Sequence, residues 1–100
     1  MIPVLNKKTH GMPKGSMYCG RPSILGNPFV IGRDGDRAAV IAKYRTWFYE
    51  RCETPPFQEA LSRAEKATWL VCWCAPESCH CDVIAEYLEK RKGTKDGKAT

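Results

Sequence analysis

Residues 68–84 read TWLVCWCAPESCHCDVI, and the fold turns on how this stretch is read. Its first half, TWLVCWC, is a nearly continuous apolar run of the kind that forms a strand inside a sheet. The polar, proline-bearing APES turns the chain, and Ser78 is placed to cap a helix. Val83, Ile84, Tyr87, Leu88 and Arg91 then recur at helical spacing, which predicts that helix over about 80–91. The unit is therefore strand Trp69–Cys74, tight turn, helix.

Outward from it, IPVLN at residues 2–6 is short, apolar and β-capable, with its proline early enough for a strand start. Glycine and proline then punctuate a long loop region from His10 to Gly35, with brief strands expected at Ser16–Cys19 and Phe29–Ile31. Asp36 reads as an N-cap. Val40, Ile41, Tyr44, Trp47, Phe48 and Arg51 come next on one helical face, giving a helix over about 37–52. Thr54 is expected to cap a second, short helix with Pro55 in its first turn and Phe57, Ala60, Leu61 and Ala64 on its apolar face.

This order predicts a small single α/β domain over residues 1–92, with a short, mostly parallel sheet and about three helices, and then a flexible basic tail at 93–100. The predicted core holds Val4, Val40, Ile41, Tyr44, Trp47, Phe48, Leu61, Leu70, Val71, Val83, Ile84, Tyr87 and Leu88. If the first strand and Trp69–Cys74 are parallel, their carboxyl ends open on one edge, where ligands bind in open α/β sheets. The glycine-rich loop and the cysteine-rich turn then face each other.

The chain has 100 residues, 43% of them hydrophobic and 27% charged, enough for one modest core. No apolar run approaches the roughly 18 to 20 residues needed to cross a bilayer, and the start lacks the apolar stretch of a signal peptide. Membrane partners are therefore not expected, and the expected compartment is the cytoplasm. There six cysteines read as thiols or metal ligands before disulfides. Residues 90–98 carry four of the five net positive charges. A basic patch suits nucleic acid, but at a chain end it reads more simply as a solvated tail.

Four cysteines and a histidine fall within residues 72–81. On a strand Cys72 and Cys74 share a face, and Cys79 and His80 lie at the helix start where the chain folds back. Cys72, Cys74, Cys79 and His80 make a legitimate tetrahedral zinc set, although the spacing is not that of a finger or ribbon. The other reading keeps the thiols unmetallated. Cys72 is then a small buried hydrophobe and Cys79, at the positive end of a helix, a nucleophile or redox thiol. The cofactor is thus none or zinc. His80 and Asp82 complete the candidate catalytic corner with Cys79, although Asp82 equally suits a helix cap. In the loop, Arg21, Ser23 and Asn27 are the candidate ligand-binding groups, with Arg21 able to grip a phosphate or carboxylate bidentately.

GRPSILGNPFVIGRDGDR at 20–37 together with LVCWCAPESCHCDVI at 70–84 resembles a family of small bacteriophage and bacterial proteins of unknown function, over about Val4 to Leu88. The resemblance puts Arg21, Pro22, Gly26, Asn27, Pro28, Phe29, Gly35, Cys72, Cys74, Pro76, Cys79, His80 and Asp82 on signature positions. Cys81 departs from the pattern, which more often has glycine there. It implies a shared site, a phage-type origin and hence a host cytoplasm, but no reaction. Two functions are expected from these features. One is a strand-end pocket that binds or acts on a nucleotide-like or other anionic small molecule. The alternative is a compact interaction module for a host protein or nucleic acid, its cysteines either merely structural or zinc-stabilised.

Overall fold

The computed structural model describes residues 2–74, 77 and 79–99, those from 92 onward as backbone alone. Pro76 and Ser78, expected in the turn and the helix cap, lie outside the described residues. The elements run β1 (Val4–Asn6), α1 (Lys7–His10), β2 (Ser16–Tyr18), α2 (Arg37–Arg51), α3 (Pro55–Glu65), β3 (Trp69–Cys72) and α4 (His80–Ala99). The sheet has three strands in the order β1-β3-β2, and both pairings are parallel. The expected α/β class and parallel sheet are what the chain forms.

β3 takes the centre because it alone can be buried on both faces. Leu70, Val71 and Cys72 are all buried. Its register sets Val4 and Met17 beside Leu70, and Asn6 beside Cys72. Side chains alternate along a strand, so Val4, Met17, Leu70 and Cys72 share one face. That face meets Tyr44 and Phe48 of α2, Leu61 and Ala64 of α3, and Val83, Ile84 and Leu88 of α4 in one core. Val4, Ile41, Trp47 and Tyr87, predicted for the core, pack at its edge as partly buried side chains.

The helices start where local chemistry says they should. Asp36 accepts the Ala39 N–H at 2.9 Å and caps α2. Thr54 stands at the N-cap of α3, but its hydroxyl donates to the Arg51 carbonyl at 2.7 Å instead of accepting a helix N–H. Pro55 and Pro56 fill the first two helical positions and bring no N–H, so little is left for a cap to satisfy. α1 was not legible: one turn, closed by Asn6 accepting from Lys8 N–H at 2.8 Å.

Two other expectations differ from the structure. Phe29–Ile31 forms no strand. The Asp34 carboxylate accepts the Val30 N–H at 2.8 Å, Gly35 has φ 131, and together they close a turn there. α4 runs on to Ala99, past the expected end near 91, since KRKGTKDGKA holds no proline to stop it.

Leu70→Ala is expected to cost about 2–5 kcal/mol in urea unfolding, with a smaller loss for Trp47→Ala at the core edge. Acid should act through Asp34 and Glu86. Bonds to the Val30 N–H and to Arg33 lower the first, and Arg45 then Lys90 lower the second, from 3.8 and 4.5 respectively. Folded-state values below the unfolded ones mean that their stabilisation is complete above about pH 4.5 and is lost as pH falls below it. Asp34→Asn and Glu86→Gln should flatten the acid limb of melting temperature against pH.

Candidate functional site

The parallel sheet brings Asn6, Tyr18 and Cys72 to the same edge, and the chain leaves each strand there. After β2, Cys19 prolongs the pairing by donating its N–H to the Val71 carbonyl at 2.9 Å. The loop then doubles back in two tight turns, Ser23 N–H to Gly20 O and Gly26 N–H to Ser23 O, each 2.9 Å. Gly26 is required by close approach. A Cβ there would stand 3.0 Å from the backbone of Gly20 and Arg21. The buried Tyr44 hydroxyl donates to the Leu25 carbonyl at 2.7 Å and ties the loop to α2. On the outside, Trp73 Nε1 donates to the Tyr18 hydroxyl at 2.9 Å, and that hydroxyl donates to the Arg21 carbonyl at 2.8 Å.

These ties fix one wall of a cavity of about 230 Å³. Arg21 and Asn27 line it from the loop, and Cys72, Cys74, Cys79 and His80 line it from the strand end and the start of α4. Arg37, in the first turn of α2, and Trp73 complete its polar and aromatic contacts, while Phe29, Ile31 and Ile41 add apolar surface. Trp73 is 54% exposed, and the Lys7 ammonium lies 5.2 Å from its ring centroid.

Ser23 and Asp82 are not part of this lining. The Ser23 hydroxyl is buried with no partner among the described residues. The Asp82 carboxylate accepts the Cys79 N–H at 3.0 Å while its own N–H donates to the Cys79 carbonyl at 3.0 Å. This reciprocal pair is a helix-start cap, the role its sequence position equally allowed. Arg37 and Trp73 were missed. The signal for Arg37 was its place just after the Asp36 cap, on a helix whose start faces the strand ends.

The sulfurs of the site form one connected cluster, in which the Cys81 thiol lies against those of Cys19, Cys72 and Cys79, and two overlapping sets within it have metal-ligand spacing. Cys72, Cys74 and Cys79 bring their Sγ atoms within 4.8 Å of one another, and Cys79, His80 and Cys81 form a second such set. The expected four-ligand set is therefore split, with His80 apart from Cys72 and Cys74. Cys72 Sγ lies 3.1 Å from Cys79 Sγ, and the Cys74 N–H points at Cys72 Sγ from 3.4 Å. His80 Nε2 is 2.5 Å from the Cys19 carbonyl. A carbonyl only accepts, so Nε2 carries the proton and Nδ1 is the bare nitrogen of the neutral ring.

Burial, with a smaller push from Arg21, lowers the His80 pKa, so the ring is neutral at pH 7. The Cys72 sulfur, and then burial, push the Cys79 thiol up. The helix-start position favours a thiolate, while the neighbouring Cys72 sulfur and burial favour the neutral thiol. A metal ion reverses that balance, since it binds thiolates directly. This cysteine and histidine cluster can hold a metal ion.

A family described as a domain of unknown function, DUF4326, matches residues 4–90, and the chain belongs to it. No curated protein and no solved structure matches the chain. No helix among the described residues is long and apolar enough to cross a membrane.

Tyr44→Phe should cost about 1–3 kcal/mol by leaving the Leu25 carbonyl buried and unpaired, read by chemical denaturation. Amide exchange should rise over residues 20–27 while β3 stays protected.

Proposed function

We propose that this DUF4326 member binds a phosphate-bearing, nucleotide-like small molecule at the carboxyl edge of its sheet. One observation carries the reading: a single cavity gathers Arg21, Asn27 and Arg37 with Cys74, Cys79 and His80 from three separate parts of the chain. Two guanidinium groups and the starts of α2 and α4 give that cavity a positive character. Arg37 is braced by Glu77 at 2.9 Å and bonds the Cys74 sulfur, so it is held rather than swinging. Arg21 is exposed and carries no core packing, which suits a group that closes on an arriving anion.

Trp73 and Ile31 at the rim offer flat apolar surface to a planar ring. The volume is below the roughly 300–1,000 Å³ of drug-sized sites, which limits the ligand to about a mononucleotide. Neutral His80, with its bare nitrogen, is the group in the cavity best suited to take a proton, so an activity on the bound ligand would run through it and Cys79. With the phage-type origin that the resemblance implies, the ligand would be one of the host cytoplasm. Zinc is the metal the donor set suits.

A second reading, a docking module whose cysteines bind zinc only for stability, is favoured by the burial of Cys72, Cys79 and His80. Calorimetric titration with inorganic phosphate and with nucleoside mono-, di- and triphosphates separates the two. The pocket reading expects at least one phosphate compound to bind. Arg21→Ala should weaken it by about tenfold or more, as loss of a charged hydrogen bond does, with the melting temperature unchanged. A protein that binds none of the series, with or without zinc, belongs to the second reading.

A further inference from the structure

We infer that Cys72, Cys74 and Cys79 form a three-thiolate zinc site whose fourth position opens into the cavity. The geometry is close to what zinc needs. With Zn–S bonds of about 2.3 Å, a tetrahedral site separates its sulfurs by about 3.8 Å. Two of the three Sγ atoms are 3.1 Å apart and no pair exceeds 4.8 Å, so each separation is within about one ångström of that spacing. Displacements of under about one ångström complete the triangle.

The surroundings fit thiolates. The Cys74 N–H aims at Cys72 Sγ, a backbone donor turned toward the sulfur instead of a carbonyl. The Arg37 guanidinium bonds the Cys74 sulfur, and three thiolates around a divalent ion leave one negative charge for it to offset. Two of the ligands stand on regular structure, Cys72 at the end of the central strand and Cys79 at the capped start of α4, and Cys74 follows two residues after Cys72.

Among the described residues, the two nearest candidates for the fourth vertex are His80 and Cys81, whose sulfur also lies against Cys72 and Cys79, and both are engaged on the buried side. His80 Nε2 is committed to the Cys19 carbonyl, and His80 clusters with Cys79 and Cys81 but not with Cys72 and Cys74. Cys81 is fully buried and does not line the cavity. Cys72, Cys74 and Cys79 all do. Three protein ligands with one position open is the pattern of reactive zinc, whereas structural zinc is closed by four. The vertex therefore takes water or an anionic oxygen of the ligand, with Arg21 and Arg37 on the same wall. This last step rests on the pocket reading. The three-thiolate site does not.

The test strips the full-length protein with a chelator and titrates it with cobalt(II) alone. The expected result is one cobalt per chain with thiolate-to-metal absorption. Cys74→Ser, partly exposed and light in packing, should lower that absorption by about a third, as one of three ligands. Cys52→Ser and Cys81→Ser should leave it unchanged. Inorganic phosphate or a nucleoside monophosphate should then shift the visible cobalt bands. Failure to bind cobalt, or loss of absorption in Cys81→Ser, overturns the three-thiolate site. Cobalt on three thiolates with bands indifferent to every anion overturns the open vertex. If the metal binds as described but no nucleotide does, the proposed ligand fails and the metal site stands.

Discussion

Parallel pairing of β3 with both of its neighbours is the constraint on which the rest depends. Parallel strands cannot be joined by tight hairpins, so the chain must cross over between them, and every strand ends on the same edge. The loop after β2, the turn after β3 and the starts of α2 and α4 are collected there by topology before any side chain is chosen. β3 also has no face turned to water, which explains its composition: Leu70, Val71 and Cys72 are all apolar enough for full burial. A cysteine at the last position costs the core little, since it packs as a small hydrophobe, yet it delivers a sulfur to the edge where the loops converge.

What the sheet collects, a few polar contacts hold in place. The Gly20–Asn27 loop buries Leu25 but leaves Ile24 exposed, so its shape rests on backbone turns, the absent Cβ of Gly26 and the hydroxyls of Tyr18 and Tyr44. Of these the Tyr44 contact matters most, because it is dry. A hydrogen bond in water nets little, but a buried carbonyl without its donor loses its solvation entirely.

The fold was legible where pattern and physics agree over several residues. TWLVCWC reads as an interior strand, of which Trp69–Cys72 pairs as β3 while Trp73 and Cys74, expected in it, lie past its end. The α2 stripe ended within a residue of its expected limit. Legibility failed where a tertiary partner decides. The single turn of α1 is too short to show a period. Phe29–Ile31 is β-prone by composition, but Asp34 claims the Val30 N–H. For the site, the rule that ligands gather at parallel strand ends was enough to join Arg21 and Asn27 to the cysteines and His80. It could not separate Ser23, whose hydroxyl turns into the protein, or show that Asp82 spends its carboxylate on Cys79 N–H. Trp73 was invisible because nothing in its neighbours marks it, and Arg37 showed only its place after a cap. The packed arrangement of α2 and β3 around the edge is what brings both to the cavity.

Tyr44 has a wider consequence. Its hydroxyl holds the loop wall through Leu25, while its ring meets the imidazole of His80 edge-on, with centroids 5.1 Å apart. One side chain thus touches both halves of the cavity, and substitutions on the two halves should not be additive: a change at Leu25 will alter what a change at His80 costs. For a lineage of such proteins this is an evolutionary restraint. Loop and helix start must vary together, so a new specificity arrives through compensated pairs of replacements, with α2 as the part that keeps them in step.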